Sequence, residues 1–551
     1  MQDSPLASRA IRRQQWLQQV DDALRTYGTE AAASLALRAL ADGIEHPALL
    51  NLGAQARYAE GRIEEAVEML KRARGLAPKD PHVLNTLGIC LADLGRPDEA
   101  LAAYAAAVRA DPDMAAAHFN RGSLLEDLND INGARRSYER AVALDPDYSD
   151  ALAALAWLDA VAGDAQSAKA RARCALAWAP GDVLARMALA SAALQEKDHA
   201  AAEALLSPLS SDSAVTPRNR SIVLGLIGDL LDAQGKSGDA FAAYQASNAA
   251  LKALNMSRYE IPGEESALGQ AERLIRFFES ADAGPWQDAP PVRPRAADPK
   301  AHVFLVGFPR SGTTLLENVL AAHPHVVSLE EKDCFAPESV AYMASASGLE
   351  RLAKISSPDS AREREYYWAN VRKNGVEPRG RIFIDKMPLS SLLLPVISKL
   401  FPNARILFAR RDPRDVVLSC FRRRFGMNPA MYQLLTLDGA AAYYDAVMRL
   451  SEIYRQLFRL PRHVVRYESL VEDFEGTARA ACDFLGIEWS QELTDFAARA
   501  RSRGISTPSA AQVARGLNRD GQQVWRRYRE QMAPVLPLLD RWVREFGYSS
   551  A

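Results

Sequence analysis

The residues best placed to do chemistry lie in one stretch, Val303 to Leu316. Val303 to Val306 is a short apolar run, the pattern of a strand buried in a parallel sheet. Gly307 to Gly312 interrupts it, and from Thr313 the chain resumes with helix formers. A strand, a glycine-bearing turn and a helix start leave several backbone N–H groups unpaired and pointing one way, with the positive end of the helix dipole behind them. Arg310, Ser311, Thr313 and Thr314 add side-chain donors around Gly312. The spacing predicts an anion-binding turn.

Further strand-like runs at 381–384, 405–408 and 463–466 alternate with helical stretches at 390–400 and 439–460. Such alternation predicts a mainly parallel α/β sheet that binds ligands at the carboxyl ends of its strands. Polar residues follow those strands closely: Asp385 and Lys386, Arg410 to Asp412, and Tyr467 with Glu468.

The turn departs from the nucleotide-hydrolase pattern G-x-x-x-x-G-K-[ST], which needs a lysine where Thr313 follows Gly312. Arg310 is the strong cation instead, and a planar guanidinium there suits an oxyanion held without the usual Mg²⁺ arrangement. The string Gly307-Phe-Pro-Arg-Ser-Gly-Thr-Thr-Leu315 resembles the 5′-phosphosulfate loop of sulfotransferases, which use 3′-phosphoadenosine 5′-phosphosulfate (PAPS). A second string, Arg410-Arg-Asp-Pro-Arg-Asp-Val-Val-Leu-Ser-Cys-Phe421, looks like the family's 3′-phosphate motif. The resemblance covers roughly residues 300–548 and comes nearest to the tyrosylprotein type.

It implies that Arg310, Ser311, Gly312, Thr313 and Thr314 hold the 5′ end of PAPS, while Arg411 and Ser419 hold the 3′-phosphate with Arg423 as helper. Tyr467, in a strand-end Tyr-Glu segment, would lie near the adenine. Ser509, Gln512, Val513, Asn518 and Trp525 to Tyr528 resemble a segment that covers the cofactor, although Val524 stands where the tyrosylprotein type has a lysine. Glu331, with Glu330 as the alternative, would be the base. Lys386 would face the transferring sulfuryl group, assisted by Arg310 and held in place by Asp385. Residues 334–380, with Tyr366, Tyr367 and Trp368, would border the acceptor pocket. No metal is implied. The acceptor stays open among a protein tyrosine, a saccharide and a small molecule.

The first half of the chain is periodic. Pro78, Pro112, Pro146 and Pro180 stand 34 residues apart, in step with small residues at Ala54, Gly88, Gly122, Ala156 and Ala190 and turn residues at Gly61, Gly95, Asn129 and Gly163. The period resembles the tetratricopeptide repeat (TPR), a helix pair per unit. Lys197 occupies a turn position where glycine is expected, and four extra residues near 210–217 shift the frame before Gly228 and Gly235 restore it. Tyr104, Tyr138 and Tyr244 recur as packing residues. Stacked repeats make a groove suited to a peptide or protein partner.

The expected organisation is an α-helical TPR solenoid over residues 13–254, a helical cap and proline-rich linker over 255–298, and an α/β P-loop-like sulfotransferase domain with a mainly parallel sheet over 299–551. A formal net charge of −2 gives no global signature for nucleic acid or membrane. Five scattered cysteines form no CxxC pair, and no run of 18 apolar residues occurs, so a cytoplasmic protein is expected. A kinase-like P-loop enzyme would need the missing lysine. A non-catalytic TPR scaffold would have no use for the set Arg310, Glu331, Lys386, Arg411 and Ser419.

Overall fold

The computed structural model describes residues 5–290, 292, 295–503 and 516–549. The chain divides into two compact units, one of residues 1–159 and 166–188, the other of residues 160–165 and 189–551.

The helical region is a run of antiparallel pairs whose first helices begin at Pro47, Pro81, Ala115, Ser149, Val183 and Pro217, each 34 residues after the last. The four extra residues near 210–217 therefore do not displace the next helix. They lengthen it: Pro217–Ala233 has 17 residues where Val183–Gln195 has 13. The recurring tyrosines are buried, and each lies over a recurring glycine. A Cβ added at Gly88, Gly122 or Gly228 would come within 2.5, 2.7 and 2.5 Å of the ring of Tyr104, Tyr138 and Tyr244 respectively. Where Ala54 and Ala190 take the glycine's place, the residue sixteen positions on is Leu70 and Leu206.

In the second unit, five parallel strands are ordered β2-β3-β1-β4-β5. They are β1 (Ala301–Val306), β2 (Val326–Glu330), β3 (Ile382–Lys386), β4 (Arg405–Arg410) and β5 (Arg462–Arg466). Side chains alternate between two cores. Phe304, Val306, Phe383, Ile406 and Phe408 face one, which includes the long helix Leu437–Leu457; Val303, Leu305, Ile382, Ile384 and Leu407 face the other, which includes helices Thr313–Ala321 and Phe474–Leu485. The chain leaves β1 toward β2 on one side and β4 toward β5 on the other. The gap between the ends of β1 and β4 is thus the topological switch point, where ligands bind in open α/β sheets.

Two expectations for the connecting segment change. The helix Ala267–Glu279 exists, but its apolar face joins the sheet's core, where Phe278 packs edge-on to Tyr454 and Phe458. The stretch expected to run as an extended linker carries a short helix, Gly284–Gln287, with Trp286 buried against Phe278, and the Lys399 ammonium donates to the carbonyls of Pro285 and Asp288.

Each turn between paired helices places its key residue at positive φ: Gly61, Gly95, Asn129, Gly163 and Gly235 do so, and Lys197 does too, with φ 63°. A side chain with a Cβ is disfavoured there. Lys197→Gly should raise stability by about 1 kcal/mol, read as a higher Tm in thermal unfolding.

Candidate functional site

The turn after β1 has the form its sequence predicts. Gly307 N–H donates to the Pro388 carbonyl at 3.0 Å, and a Cβ at Gly307 would stand 2.7 Å from both the Ala409 carbonyl and Ser311 Oγ. Gly312 is left-handed at φ 100°, under the ring of Tyr467. Arg310 adopts φ 69°, a strained conformation for a residue with a side chain and one that concentrates at functional sites. Thr313 and Thr314 open the nine-residue helix Thr313–Ala321, and both are buried.

The turn is tied to the end of β4. Arg411 Nη1 donates to the Arg310 carbonyl at 2.9 Å, and Arg310 Nε donates to Ser419 Oγ at 3.1 Å. Arg411 also donates to the Gly521 carbonyl and lies 4.8 Å over the Tyr467 ring. The two strings that sequence reading put at opposite ends of one ligand, with Tyr467, therefore form a single cluster. Among the described residues, Ser311 Oγ and Arg411 Nε are buried with no hydrogen-bond partner. Burial, then the Arg423 and Arg411 charges, pushes the Arg310 pKa down to about 9. An excess of buried positive charge, two orphaned polar atoms and glycine contacts too close for a Cβ suit an anionic nucleotide such as PAPS.

The helix that carries Ser419, Pro413–Arg422, is held at both ends. Near its start, Asp415 accepts from the backbone N–H groups of Gln523 and Trp525 at 2.7 and 2.9 Å, which fixes the segment bearing Gly521. At its far end, the helix pair Pro217–Ala233 and Ser237–Tyr259 closes over it. Asn248 donates to the Phe421 carbonyl at 2.8 Å, and Phe241 stacks on Phe421. Asp232 pairs with Arg422 at 2.5 Å and Arg527 at 3.0 Å, and accepts from Tyr528 at 2.6 Å. Arg423, expected to help hold a phosphate, pairs with Asp229 at 3.2 Å; it is close enough to Arg310 to depress that residue's pKa.

A second cluster lies at the ends of β2 and β3. Lys386 is fully buried, with Glu331 Oε1 at 2.6 Å, Glu330 Oε1 at 3.5 Å and Glu317 Oε2 at 3.6 Å from its ammonium. Burial alone would lower the Lys386 pKa, but Glu317, Glu331 and Glu330 outweigh it and hold the pKa above the ordinary lysine value. The Glu331 side chain is 31% exposed and that of Glu330 15%, so Glu331 is the more open to an incoming group. Glu331 has φ 46°, a second strained residue.

Two expectations are corrected by these contacts, and a third falls on residues not described. Asp385 does not hold Lys386, because neighbours on a strand point to opposite faces. Asp385 instead accepts from the Tyr367 hydroxyl at 2.5 Å, and His302 Nε2 lies 3.0 Å from that hydroxyl. Tyr367 is consequently core, packed among His302, Phe335 and Phe401, and lines no pocket. Ser509, Gln512 and Val513 lie outside the described residues. Sequence reading missed Glu317, Asp229 and Asp232. For Glu317 a signal existed: a carboxylate among apolar residues on the buried face of a helix.

Comparison with known proteins agrees with the geometry. A family model described as "Sulfotransferase family" matches residues 302–491, and a tetratricopeptide-repeat model matches 85–149. Residues 302–491 belong to the sulfotransferase family. The matched span runs from His302, the second residue of β1, past the end of β5 and contains every site residue named above from Arg310 to Tyr467. Relatives of the chain include an uncharacterized protein of Aquifex aeolicus, 27% identical over 45% of this chain and 33% of that protein. The protein-tyrosine sulfotransferase 2 of Gallus gallus is 29% identical over 43% of this chain and 68% of its own length. The nodulation protein NoeE of Sinorhizobium fredii is 29% identical over 31% of this chain and 46% of its own. The chain thus spans a third, two thirds and about half of these relatives. Among the described residues, no helix is long and apolar enough to cross a membrane.

The buried Asp385 makes the fold sensitive to pH. Burial first, offset in part by the Tyr367 hydrogen bond, raises its pKa to about 7. The unfolded chain releases the same proton near the usual value of about 4, so the folded state binds more protons across that window and loses stability as pH rises from about 4 to about 7. Asp385→Asn, which keeps an acceptor for Tyr367, should remove that slope. Its Tm relative to wild type should climb through the window and level off above it.

Proposed function

We propose that the sulfotransferase-family domain moves the sulfuryl group of PAPS to an acceptor hydroxyl in the cytoplasm, with the repeats recruiting the acceptor or a partner protein. One observation carries the reading: Arg310, Arg411 and Ser419, from two distant strings, make one hydrogen-bonded cationic cluster at the switch point. Bound there, PAPS supplies an activated sulfuryl group on a phosphate that can leave. The turn from Arg310 to Thr314 grips the 5′ end, Arg411 and Ser419 with Arg423 grip the 3′-phosphate, and Tyr467 lies beside the base.

The protein's own task is to deprotonate the acceptor and neutralise charge on the departing oxygen. Glu331 takes the acceptor's proton. The acceptor oxygen forms its bond to sulfur as the bridging sulfur–oxygen bond breaks, and that electron pair leaves with the phosphate, opposite Lys386 and Arg310. The separation of carboxylates at β2 and β3 from arginines at β4 gives the reaction a basic side and an anion-holding side.

Calorimetry should find binding of 3′-phosphoadenosine 5′-phosphate far stronger than that of ATP, because Arg411 and Ser419 read the 3′-phosphate; equal binding would sink the reading. Labelled-sulfate transfer to peptide, saccharide and phenolic acceptors should then single out the acceptor class. Glu331→Gln should lower transfer by about a hundredfold or more while nucleotide binding is kept.

A further inference from the structure

Glu317 has no part in the chemistry outlined above, yet it is a carboxylate buried to 1% exposure on the helix that begins at the anion-binding turn. Its neighbours Leu315, Leu316, Val319 and Leu320 are core, and an apolar residue would fill the place at no desolvation cost. The structure orients it with care. Ser328 on β2 donates to Oε1 at 2.8 Å, and Oε2 faces the Lys386 ammonium at 3.6 Å.

Lys386 is met by charges from each element around it. Glu317 comes from the helix Thr313–Ala321, Glu330 from the end of β2 and Glu331 from the turn beyond; Asp385 is its neighbour on β3, turned to the other face. Glu331, the closest partner and the most exposed of the three carboxylates, is the one best placed to change its charge during transfer. Once Glu331 accepts the acceptor's proton it is neutral, and a fully buried ammonium would lose its best counter-ion at the moment its charge is needed. Glu317 cannot be reached by acceptor or solvent, so its charge does not change during the step.

We infer that Glu317 is a positioning residue, the permanent counter-ion that keeps Lys386 charged and fixed at the strand end after Glu331 has taken up a proton. The inference rests on the reading of Glu331 as base, but its central claim concerns Lys386 alone and is tested without nucleotide. In lysine-¹⁵N-labelled full-length protein, the Lys386 ammonium signal, assigned by its loss in Lys386→Arg, is followed as pH is raised. Glu317→Gln keeps an acceptor for Ser328 while removing the charge, and should lower the proton affinity of Lys386 about tenfold. An unchanged titration overturns the inference.

With a working acceptor in hand, the same variant should shift the alkaline limb of the kcat profile to lower pH and leave nucleotide affinity alone. A fall in kcat with no shift in that limb would also overturn the positioning role, since a merely structural defect would look like that. Should Glu317→Gln fail to fold, Ser328→Ala, which frees Glu317 to turn away from Lys386, should shift the titration in the same direction; no shift there overturns it equally. If wild type transfers sulfate to nothing, the proposed activity falls, while the Lys386 titration still decides whether Glu317 sets its charge.

Discussion

The hydrogen bond from the Arg411 guanidinium to the main-chain carbonyl of Arg310 ties the two sides of the switch point together through the backbone. Much of the site depends on it. It fixes the carbonyl of a residue held at φ 69°, and it brings Arg310 to Ser419 on the helix after β4. It also directs the rest of the same guanidinium toward Gly521 and over Tyr467. A guanidinium is costly to bury, and its neighbours Arg423 and Arg411 repel it further, which is why the pKa of Arg310 falls. The fold accepts that cost because the surrounding backbone and the Pro413–Arg422 helix leave the two arginines little freedom to separate.

The opposite sign prevails two strands away. Three glutamates converge on one buried lysine at the ends of β2 and β3. The sheet order makes this segregation possible, since β1, whose terminal turn carries Arg310, lies between β3 and β4. Each cluster would be unstable merged with the other: the glutamates would cancel the arginine charges, and the lysine would lose its carboxylates. A parallel sheet with all carboxyl ends on one edge places both on the same side of the sheet and still at different strands.

Much of this was legible in the sequence, where periodicity or a motif spoke. The 34-residue period predicted the helix pairs, and β1, β3, β4 and β5 appeared as apolar runs. β2 did not, because Val326 to Leu329 is short, carries Ser328 and runs straight into Glu330 and Glu331. Asp385 and Lys386 read as one pair because adjacency in sequence hides the strand's alternation. Tyr367 read as pocket because its aromatic neighbours in sequence gave no sign that its hydroxyl had a buried carboxylate to bind. Asp229 and Asp232 lie in the first helix of the last repeat pair, Pro217–Ala233. Their partners, Arg422, Arg423 and Tyr528, stand about two to three hundred residues on, and no local pattern connects them.

Those two aspartates alter what the last repeat is. Helices Pro217–Ala233 and Ser237–Tyr259 share the repeat's sequence signature but are built into the unit that contains the sheet, closing the end of the helix that bears Ser419. The seam of the protein therefore does not follow the boundary between sequence families. An ancestor could gain or shed a 34-residue unit among the earlier pairs and leave the anion cluster as it stands. The final pair has no such licence: it carries the array's sequence pattern but is held by the side chains of the sheet's own unit.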